Sequence, residues 1–410
     1  MKVAVFNLGC KVNQYECDVI SEKLSFEGHE VSEGLVFADA YILNTCAVTG
    51  EAERKSRQAV SRCLALNQNA KIFVLGCASQ KAPDSFKKDG VLYISGTADK
   101  FAVTERIFDE NLTENNADTP IKYEEGSLTT PHRTRAYVKI QDGCNHFCSY
   151  CIIPYLRGRS RSRTIEDVVK EVRALAPKTK EIVLTGIDLM DFGKGTGRGL
   201  NELFSAIKDV DVRIRLGSIY AEKITEELLD SMFSMKKFCP HFHLSLQSGD
   251  NDVLKKMNRR YTAEEYLEKI NLIRKYDENA GITTDVIVGF PTETEEGFEN
   301  TVKFVKEAKF SDIHVFPFSA RSGTRAASFP PIDKTEMIRR KKILADVKRD
   351  LHYAFLEKNV GKEQEVLIEE EKEGYNVGYS RNYVIVYTKK QGEIVTVTPN
   401  KIEKDGLKEE

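Results

Sequence analysis

Three cysteines lie close together in the segment DGCNHFCSYC, at positions 144, 148 and 151. A closed zinc site takes four ligands, usually as two pairs, and His146 is the only further ligand within this motif. Thiolates at this density are typical of an iron–sulfur cluster, which is normally bound by four cysteines. Three thiolates would leave one iron open to another molecule, as a catalytic zinc keeps one position for substrate. The spacing therefore favours a reactive iron–sulfur centre, with a zinc knuckle as the alternative.

A second group of three cysteines is spread over the first eighty residues. Cys10, Cys46 and Cys77 each follow a short apolar run that predicts a buried strand. The runs are VAVFN (3–7), YILNT (41–45) and KIFVLG (71–76). The carboxyl ends of parallel strands share one edge, where ligands bind in α/β proteins, so these cysteines can meet in space. The alternative is three buried thiols that pack as small hydrophobic groups; their common placement at strand ends favours a second metal cluster.

Alternating strand and helix patterns surround both groups of cysteines and predict an α/β protein with parallel sheets. Residues 1–107 form an amino-terminal α/β domain, and residues 108–131 are polar and aperiodic, which predicts a linker. Residues 132–359 contain six consecutive βα units, which indicate a partial (βα)6 barrel on the TIM plan with its active site at the carboxyl ends of the strands. The six strands are predicted at 136–140, 181–187, 212–218, 241–247, 283–290 and 312–319. A long charged helix is predicted at 334–358, and the short strand patterns of residues 360–410 predict a small all-β barrel.

The composition is that of an ordinary globular protein. The chain has 410 residues, 41% hydrophobic and 30% charged, with a net charge of −2. It has no apolar run long enough for a transmembrane helix. The first residues contain too short an apolar segment for a signal peptide, so we expect a cytoplasmic protein with no membrane partner. In that reducing compartment, nine cysteines favour metal binding over disulfides.

The spacing C-x3-C-x2-C, just after the first predicted barrel strand, resembles that of the radical S-adenosylmethionine (SAM) family. The two cysteine groups, the barrel and the β tail together resemble the methylthiotransferases of that family, over essentially the whole chain. The resemblance implies a transferase with an auxiliary [4Fe–4S] cluster on Cys10, Cys46 and Cys77. It also implies a SAM-binding [4Fe–4S] cluster, held by Cys144, Cys148 and Cys151, and a tail of the TRAM type, a small OB-like RNA-binding barrel. Members of the family use SAM twice, once as a methyl donor to sulfur and once as the source of a radical that activates a substrate C–H bond.

Two short motifs resemble one subfamily in particular. The segments LGCKVNQYE (8–16) and NTCAVT (44–49) are similar to those of enzymes that methylthiolate C2 of N6-threonylcarbamoyladenosine at tRNA position 37, next to the anticodon. Enzymes for N6-isopentenyladenosine typically carry GCQMN, and those for a ribosomal protein aspartate carry GCPKN; both activities remain alternatives. A third alternative is a noncatalytic RNA-binding iron–sulfur redox protein. The resemblance implies a tRNA anticodon stem-loop and a flavodoxin- or ferredoxin-like electron donor as partners, and we expect a monomer.

The resemblance also places a set of SAM-binding residues at strand ends of the barrel. Tyr150, between the last two cysteines of its group, corresponds to an aromatic residue that lies against the adenine. A glycine after the second barrel strand lets the backbone approach SAM. The predicted set is Tyr150, Thr185, Gly186, Asp188, Ser245, Gln247 and Asp285. The alternative for each is an ordinary polar group at the end of a strand.

Local charge predicts an RNA surface. Residues 131–163 contain seven Lys or Arg and one acidic residue, and four of these are Arg157, Arg159, Arg161 and Arg163 in RGRSRSR. Arginine forks suit phosphates, although such a run is also typical of a solvated helix start. Residues 361–410 contain eight Lys or Arg and eleven acidic residues, so the tail would have to bind RNA through one face. On that face we expect Tyr375 and Arg381, with Tyr379 and Tyr383, to contact nucleotides.

Overall fold

The structure is a computed structural model that describes residues 1–108, 115–116 and 118–409. Within the predicted linker, residues 109–114 and 117 lie outside the described part. The described part of this linker packs on its neighbours: Gly126 accepts a hydrogen bond from Tyr15 at 2.6 Å, and Tyr123 donates one to the Lys139 carbonyl at 2.8 Å. Its polar composition therefore serves specific hydrogen bonds.

A parallel sheet of six strands forms the amino-terminal part and carries the first three cysteines. Its order is β2-β1-β3-β4-β5-β6. The strands are β1 (Lys2–Asn7), β2 (Glu30–Glu33), β3 (Ala40–Thr45), β4 (Lys71–Gly76), β5 (Val91–Ser95) and β6 (Asn115–Asn116), and the helices are α1 (Lys11–Phe26), α2 (Gly50–Leu66), α3 (Cys77–Lys81) and α4 (Val103–Arg106). The three predicted strands are confirmed as β1, β3 and β4. The sequence did not predict β2, because this short strand, EVSE, lies beside the apolar strands without being apolar itself.

Six βα units follow and form the partial barrel. The strands and two short segments are β7 (Arg135–Lys139), β8 (Gln141–Asp142), β9 (Arg161–Ser162), β10 (Glu181–Thr185), β11 (Arg213–Leu216), β12 (Ser218–Ile219), β13 (His241–Gln247), β14 (Gly281–Val288) and β15 (Asp312–Pro317). The helices are α5 (Ile153–Arg157), α6 (Ile165–Leu175), α7 (Leu200–Ile207), α8 (Glu226–Phe233), α9 (Asn251–Lys256), α10 (Ala263–Tyr276), α11 (Glu295–Ala308) and α12 (Lys334–Asn359). One sheet has the order β11-β10-β7, the next has β12-β13-β14-β15, and β12 continues the line of β11 past Gly217. All six predicted barrel strands and the long final helix are confirmed.

Apolar residues that alternate along the strands face the surrounding helices and form one core. The opposite side of each strand faces the barrel interior and is largely polar. Residues 243, 245 and 247 of β13, for example, share that face by their period of two. The fold therefore reserves its interior for polar chemistry. Within the part of the chain that the structure describes, no helix is both long and apolar enough to cross a membrane.

The tail is a small sheet with its own core, as predicted. It consists of β16 (Gln364–Lys372), β17 (Tyr375–Ser380), β18 (Ile385–Thr388), β19 (Ile394–Val397), β20 (Lys401–Glu403) and β21 (Gly406–Lys408), in the order β19-β16-β17-β18-β21-β20. It docks on the amino-terminal ends of the barrel strands, where Arg213 donates to the Glu365 carbonyl at 2.6 Å and Tyr383 stacks on His241. The tail thus covers one mouth of the barrel and leaves the carboxyl ends of the strands to the cysteines.

Candidate functional site

Cys10, Cys46 and Cys77 meet at the carboxyl edge of the amino-terminal sheet. They follow β1, β3 and β4, which are neighbouring parallel strands, and the register pairs residue 45 with residue 76, so Cys46 and Cys77 lie side by side. Cys10 lies three residues past the end of β1, which pairs with β3 on the side opposite β4. Burial raises the pKa of Cys46 to about 11. A metal cluster would have to displace these protons, because thiolates are the ligating form.

Two features of the backbone fix these cysteines in place. Gly76 precedes Cys77 with φ of 106°, and a Cβ atom there would lie 2.6 Å from Asn44 Oδ1, so only glycine fits. Asn13 then ties the first cysteine to the sheet: its Nδ2 donates to Asn44 Oδ1 at 2.7 Å, and its Oδ1 accepts from Cys10 Sγ at 3.3 Å. The thiols are therefore held by the sheet edge itself.

Arg157 connects this cysteine group to the second one. It ends α5, just after the loop of Cys144, Cys148 and Cys151, and its side chain is 1% exposed. Its Nε donates to Cys77 Sγ at 3.3 Å, and its Nη1 donates to Asp142 Oδ1 at 3.0 Å. The prediction that Arg157 contacts RNA is wrong, because α5 turns the guanidinium inward and every contact it makes is within the protein.

A buried cluster of charges surrounds Arg157. Lys100 pairs with Glu16 at 2.8 Å, and Lys139 pairs with Asp142 at 3.0 Å. Burial raises the pKa of Glu16, but Arg157 and the two lysines outweigh burial and hold it below the usual range. Arg161 also pairs with Asp142 at 3.2 Å, so four cations face two carboxylates. This excess of positive charge beside Cys77 suits anionic thiolates.

The second cysteine group lies in the loop between β8 and α5, at the carboxyl end of the first barrel strand. The Cys144 N–H donates to the Gly158 carbonyl at 3.1 Å, and the Ser149 N–H donates to the Met257 carbonyl at 2.9 Å, which fixes both ends of the loop. Within the loop, the Cys151 N–H donates to the Cys148 carbonyl at 3.0 Å. Burial raises the pKa values of Cys144 and Cys151 to about 12. Three thiols in one loop, with Cys144 and Cys148 buried and Cys151 half-buried, are the donor set of an iron–sulfur cluster.

Two donors point at these sulfurs. The His146 N–H donates to Cys144 Sγ at 3.4 Å, and Arg259 Nη1 donates to Cys148 Sγ at 3.5 Å. Arg259 also donates to the Ser245 carbonyl at 2.6 Å, which links the loop to β13. The sequence reasoning missed Arg259, because within KKMNRRYT it is indistinguishable from its exposed neighbour Arg260.

His146 is part of a smaller group of potential ligands. Ligand atoms of Cys144, His146 and Asp188 lie within 4.8 Å of one another, and His146 Nε2 lies 2.9 Å from Asp188 Oδ2. The imidazole also stacks on Tyr220 with a centroid distance of 4.2 Å. A single zinc ion bound by Cys144, His146 and Asp188 would leave Cys148 and Cys151 without a metal to bind. The arrangement therefore favours a cluster on the cysteines, with His146 paired to Asp188.

The predicted residues at the end of β10 form a turn against the cysteine loop. Thr185 ends the strand, and the N–H groups of Ile187 and Asp188 donate to Gln141 Oε1 at 3.0 and 2.7 Å. A Cβ atom on Gly186 would lie 3.0 Å from Gln141 Oε1, so the glycine lets the turn approach this side chain. The sequence reasoning missed Gln141, which lies in strand β8 and carries no recognisable motif.

The other predicted SAM residues lie along the same mouth of the barrel. Gln247 ends β13 with φ of 74°, a conformation that non-glycine residues seldom adopt. Tyr150 packs beside the apolar cluster that contains Met257 and Phe290. Asp285 Oδ2 lies 3.2 Å from His243 Nε2, and ligand atoms of Asp285, His243 and His314 fall within 4.8 Å of one another. Ser245 and Asp285 thus share the barrel interior with two imidazoles.

Of the remaining arginines of RGRSRSR, two pair with carboxylates of the protein and one is exposed. Arg163 is buried and pairs with Glu171, so its predicted RNA contact is wrong for the same reason as that of Arg157. Arg161 turns toward Asp142. Arg159 is exposed, and its guanidinium lies 4.4 Å from the centre of the Phe147 ring, beside the cysteine loop. Of these four, Arg159 is the one whose position suits a phosphate.

The predicted RNA-binding residues of the tail lie either at the interface with the barrel or on the outer face of the tail. Arg381 is half-buried and its Nε donates to the Phe238 carbonyl at 3.2 Å, so part of its guanidinium binds the barrel and its RNA contact stays a prediction. Tyr383 stacks on His241 at 4.4 Å and belongs to the same interface. Tyr375, in contrast, is half-buried on the outer face, with Lys408 Nζ 4.2 Å from its ring centre. An aromatic ring beside lysines is the kind of surface on which bases stack.

Comparisons with known proteins agree with this geometry. Residues 138–305 match the model of the Radical SAM superfamily, and residues 2–94 match that of Uncharacterized protein family UPF0004. These two matches contain the second and the first cysteine group, respectively.

Relatives cover nearly the whole chain. The Threonylcarbamoyladenosine tRNA methylthiotransferase MtaB of Bacillus subtilis (strain 168) is 39% identical over 94% of this chain and 90% of its own. The protein of the same name in Aquifex aeolicus (strain VF5) is 37% identical over 97% and 100%. The tRNA-2-methylthio-N(6)-dimethylallyladenosine synthase of Fervidobacterium nodosum is 34% identical over 98% and 97%.

A solved structure shares the fold. The radical SAM methyltransferase TsrM from Kitasatospora setae, determined with cobalamin and a [4Fe–4S] cluster, aligns with a TM-score of 0.57 over 80% of this chain and 77% of its own. At 15% identity this likeness concerns the fold alone.

Proposed function

The chain belongs to the radical SAM methylthiotransferase family, and on that premise we propose that it methylthiolates C2 of N6-threonylcarbamoyladenosine at position 37 of tRNA. The family implies a transferase that uses SAM and a [4Fe–4S] cluster. We further propose two such clusters and two SAM molecules per reaction. The observation that carries this proposal is the pair of separate cysteine groups, one at the ends of three neighbouring strands and one in the loop after the first barrel strand.

The choice of nucleoside is supported by sequence similarity. Five relatives named for threonylcarbamoyladenosine are 39, 37, 37, 36 and 32% identical to this chain, while three named for dimethylallyladenosine are each 34% identical. The segment LGCKVNQYE around the first cysteine is also of the former type. The difference in identity is small, so the nucleoside is assigned on the motif and the similarity together.

In this proposal each cysteine group holds one cluster. Cys10, Cys46 and Cys77 hold the auxiliary cluster, and Cys144, Cys148 and Cys151 hold the one that binds SAM. When bound, a cluster of this type supplies the electron that cleaves SAM and an iron position that a ligand can occupy. The chain itself supplies the hydrogen bonds of Arg157 and Arg259 to one sulfur in each group, which offset thiolate charge.

The SAM site lies at the mouth between the cysteine loop and β13. There Gln141 fixes the turn of Thr185, Gly186 and Asp188, and Arg259 fixes the Ser245 carbonyl. We assign Tyr150, Thr185, Gly186, Asp188, Ser245, Gln247 and Asp285 to the SAM pocket. Arg259 is added to that set, since its guanidinium lies beside both Cys148 and Tyr220 and suits a carboxylate.

The assignment of domains follows the same division. We assign residues 1–107 to the auxiliary cluster, 132–359 to the SAM barrel and 360–410 to an RNA-binding tail. Arg159 beside the cysteine loop and Tyr375 on the tail mark the surface proposed for the anticodon stem-loop. A small flavodoxin- or ferredoxin-like protein is the proposed electron donor.

Nucleoside analysis tests the proposal. The purified protein, reconstituted anaerobically with iron and sulfide, is supplied with SAM, reductant and one of two tRNAs, bearing N6-threonylcarbamoyladenosine or N6-isopentenyladenosine. We expect the methylthio derivative of the first by mass spectrometry. Product from only the second tRNA would identify the other tRNA activity. If neither tRNA is modified although 5′-deoxyadenosine forms, a protein substrate such as a ribosomal aspartate follows, and absence of 5′-deoxyadenosine would indicate a noncatalytic protein.

A further inference from the structure

A cavity of about 380 Å³ lies in the barrel interior, between the tail and the edge that carries the first cysteine group. Its size is within the range of pockets that hold small molecules. The wall includes three basic side chains and four imidazoles, with two carboxylates: Lys11, Arg215, Lys348, His241, His243, His314, His352, Asp312 and Asp405. An interior with this lining favours an anionic guest over an apolar one.

Most of the wall's fixed positive charge is already neutralised. Arg215 Nε donates to Glu181 Oε1 at 2.6 Å, and Lys348 lies 3.2 Å from Asp312. Lys11 differs, because among the described residues its ammonium has no hydrogen bond and no ion pair, although it is exposed to the cavity.

The cavity lining shows where the Lys11 side chain lies. It shares the wall with Arg215 of β11 and Tyr383 of the tail. Lys11 follows Cys10 directly in the chain and begins α1. Lys11 therefore extends from the sheet edge of the first cysteine group into the cavity. If its ammonium binds a substituent of an adenine base, the base itself lies near the cysteine groups.

We propose that this cavity holds the N6 substituent of the substrate adenosine, and that Lys11 binds a carboxylate on that substituent. The inference rests on the proposed function, and it makes Lys11 a specificity-determining residue of the same site. The threonyl group ends in a carboxylate, which suits the Lys11 ammonium, and carries a hydroxyl, which suits the His314 imidazole on the same wall. A neutral, apolar substituent would displace water from the ammonium without replacing its hydrogen bonds, which disfavours its binding.

The test compares two substrates that differ only in this charge. Anticodon stem-loops carry either N6-threonylcarbamoyladenosine or its methyl ester, and kcat/KM for methylthiolation is measured with the wild-type protein, Lys11→Met and Lys11→Arg. For the wild type we expect a preference for the acid of about 10- to 100-fold, typical of a hydrogen bond between charged groups. Lys11→Met should lose this preference, and Lys11→Arg should restore much of it. Lys23→Met, on the same helix but over the Phe101 ring and outside the cavity, is the matched control.

The outcomes distinguish the Lys11 contact from a general structural defect and from a failure of the proposed function. Loss of the acid-to-ester preference in Lys11→Met alone supports the proposal, and a general structural defect would instead lower activity on both substrates by the same factor. If Lys11→Met keeps the wild-type preference, Lys11 does not bind the carboxylate, while the proposed function stands. A third stem-loop, which carries N6-isopentenyladenosine, tests the proposed function itself. If the wild type modifies this stem-loop and neither of the other two, the proposed function is overturned.

Discussion

Replacement of Arg157 by methionine is expected to lower the reduction potential of the auxiliary cluster. The guanidinium donates to Cys77 Sγ at 3.3 Å and is fully buried. Reduction adds negative charge to a cluster, and a buried cation at hydrogen-bond distance from one of its sulfurs stabilises that charge. Methionine keeps the volume and removes the cation, so the reduced state becomes less favourable and the potential falls.

The magnitude follows from the contact distance. At 3.3 Å, two unit charges interact by about 5 kcal/mol at an effective dielectric constant of about 20. The added electron is shared over the four irons of a [4Fe–4S] cluster, so roughly a quarter of this, ~1.3 kcal/mol, acts beside Cys77. For a one-electron couple about 59 mV corresponds to a tenfold change, which makes the expected decrease ~55 mV.

The assay is a redox titration followed by electron paramagnetic resonance, in a background in which Cys144, Cys148 and Cys151 are all alanine, so that only the auxiliary cluster binds. Arg159→Met is the matched control, because Arg159 is an exposed arginine two residues further along the chain. An unchanged potential in Arg157→Met, with the iron content intact, would refute the electrostatic role assigned to this contact. An equal decrease in the Arg159→Met control would refute it too.

Three further outcomes follow from the contacts at the site. Gly76→Ala should lower the free energy of unfolding by at least about 2 kcal/mol in a urea titration. Gly28→Ala, also at positive φ but with nothing within 4 Å of its Cβ position, should lower it less, and equal losses would contradict the role given to the close contact at Gly76. Arg259→Met, which removes the donor to Cys148, should reduce 5′-deoxyadenosine formation about tenfold or more, and an unaffected rate would exclude Arg259 from the SAM site. Tyr375→Ala should weaken stem-loop binding by about 1–3 kcal/mol in fluorescence anisotropy, whereas unchanged affinity would remove Tyr375 from the RNA surface.

The cysteines and strands were accessible from the sequence because their signals are local. Apolar runs of five or six residues predict buried strands, and a cysteine directly after such a run lies at the sheet edge whatever the rest of the chain does. The convergence of Cys10, Cys46 and Cys77 needs only that β1, β3 and β4 are parallel neighbours, which is what the structure shows.

The arginines show what local signals cannot give. RGRSRSR contains four identical side chains, yet Arg157 and Arg163 are buried among carboxylates while Arg159 is exposed. Their partners, Glu16 and Glu171, lie on other helices, so the pairing depends on tertiary contacts rather than on the run itself. Charge density along the sequence therefore overestimated the RNA surface.

Gln141 and Arg259 were not predicted for the same reason, because their contacts depend on the tertiary structure. Gln141 acts through hydrogen bonds to a turn more than forty residues away in the chain. Arg259 reaches Cys148 across 111 residues of sequence. Neither residue belongs to a motif with a characteristic spacing, so only the folded arrangement identifies them.

The central claim is that two separate groups of three cysteines each hold a four-iron cluster, and iron and sulfide content tests it most directly. Anaerobic reconstitution of the wild type should give about eight irons per chain. The variant with Cys10, Cys46 and Cys77 replaced by alanine should retain about four, and so should the variant that lacks Cys144, Cys148 and Cys151. A stable wild-type content near four, with one of the two variants unchanged from it, would contradict the claim.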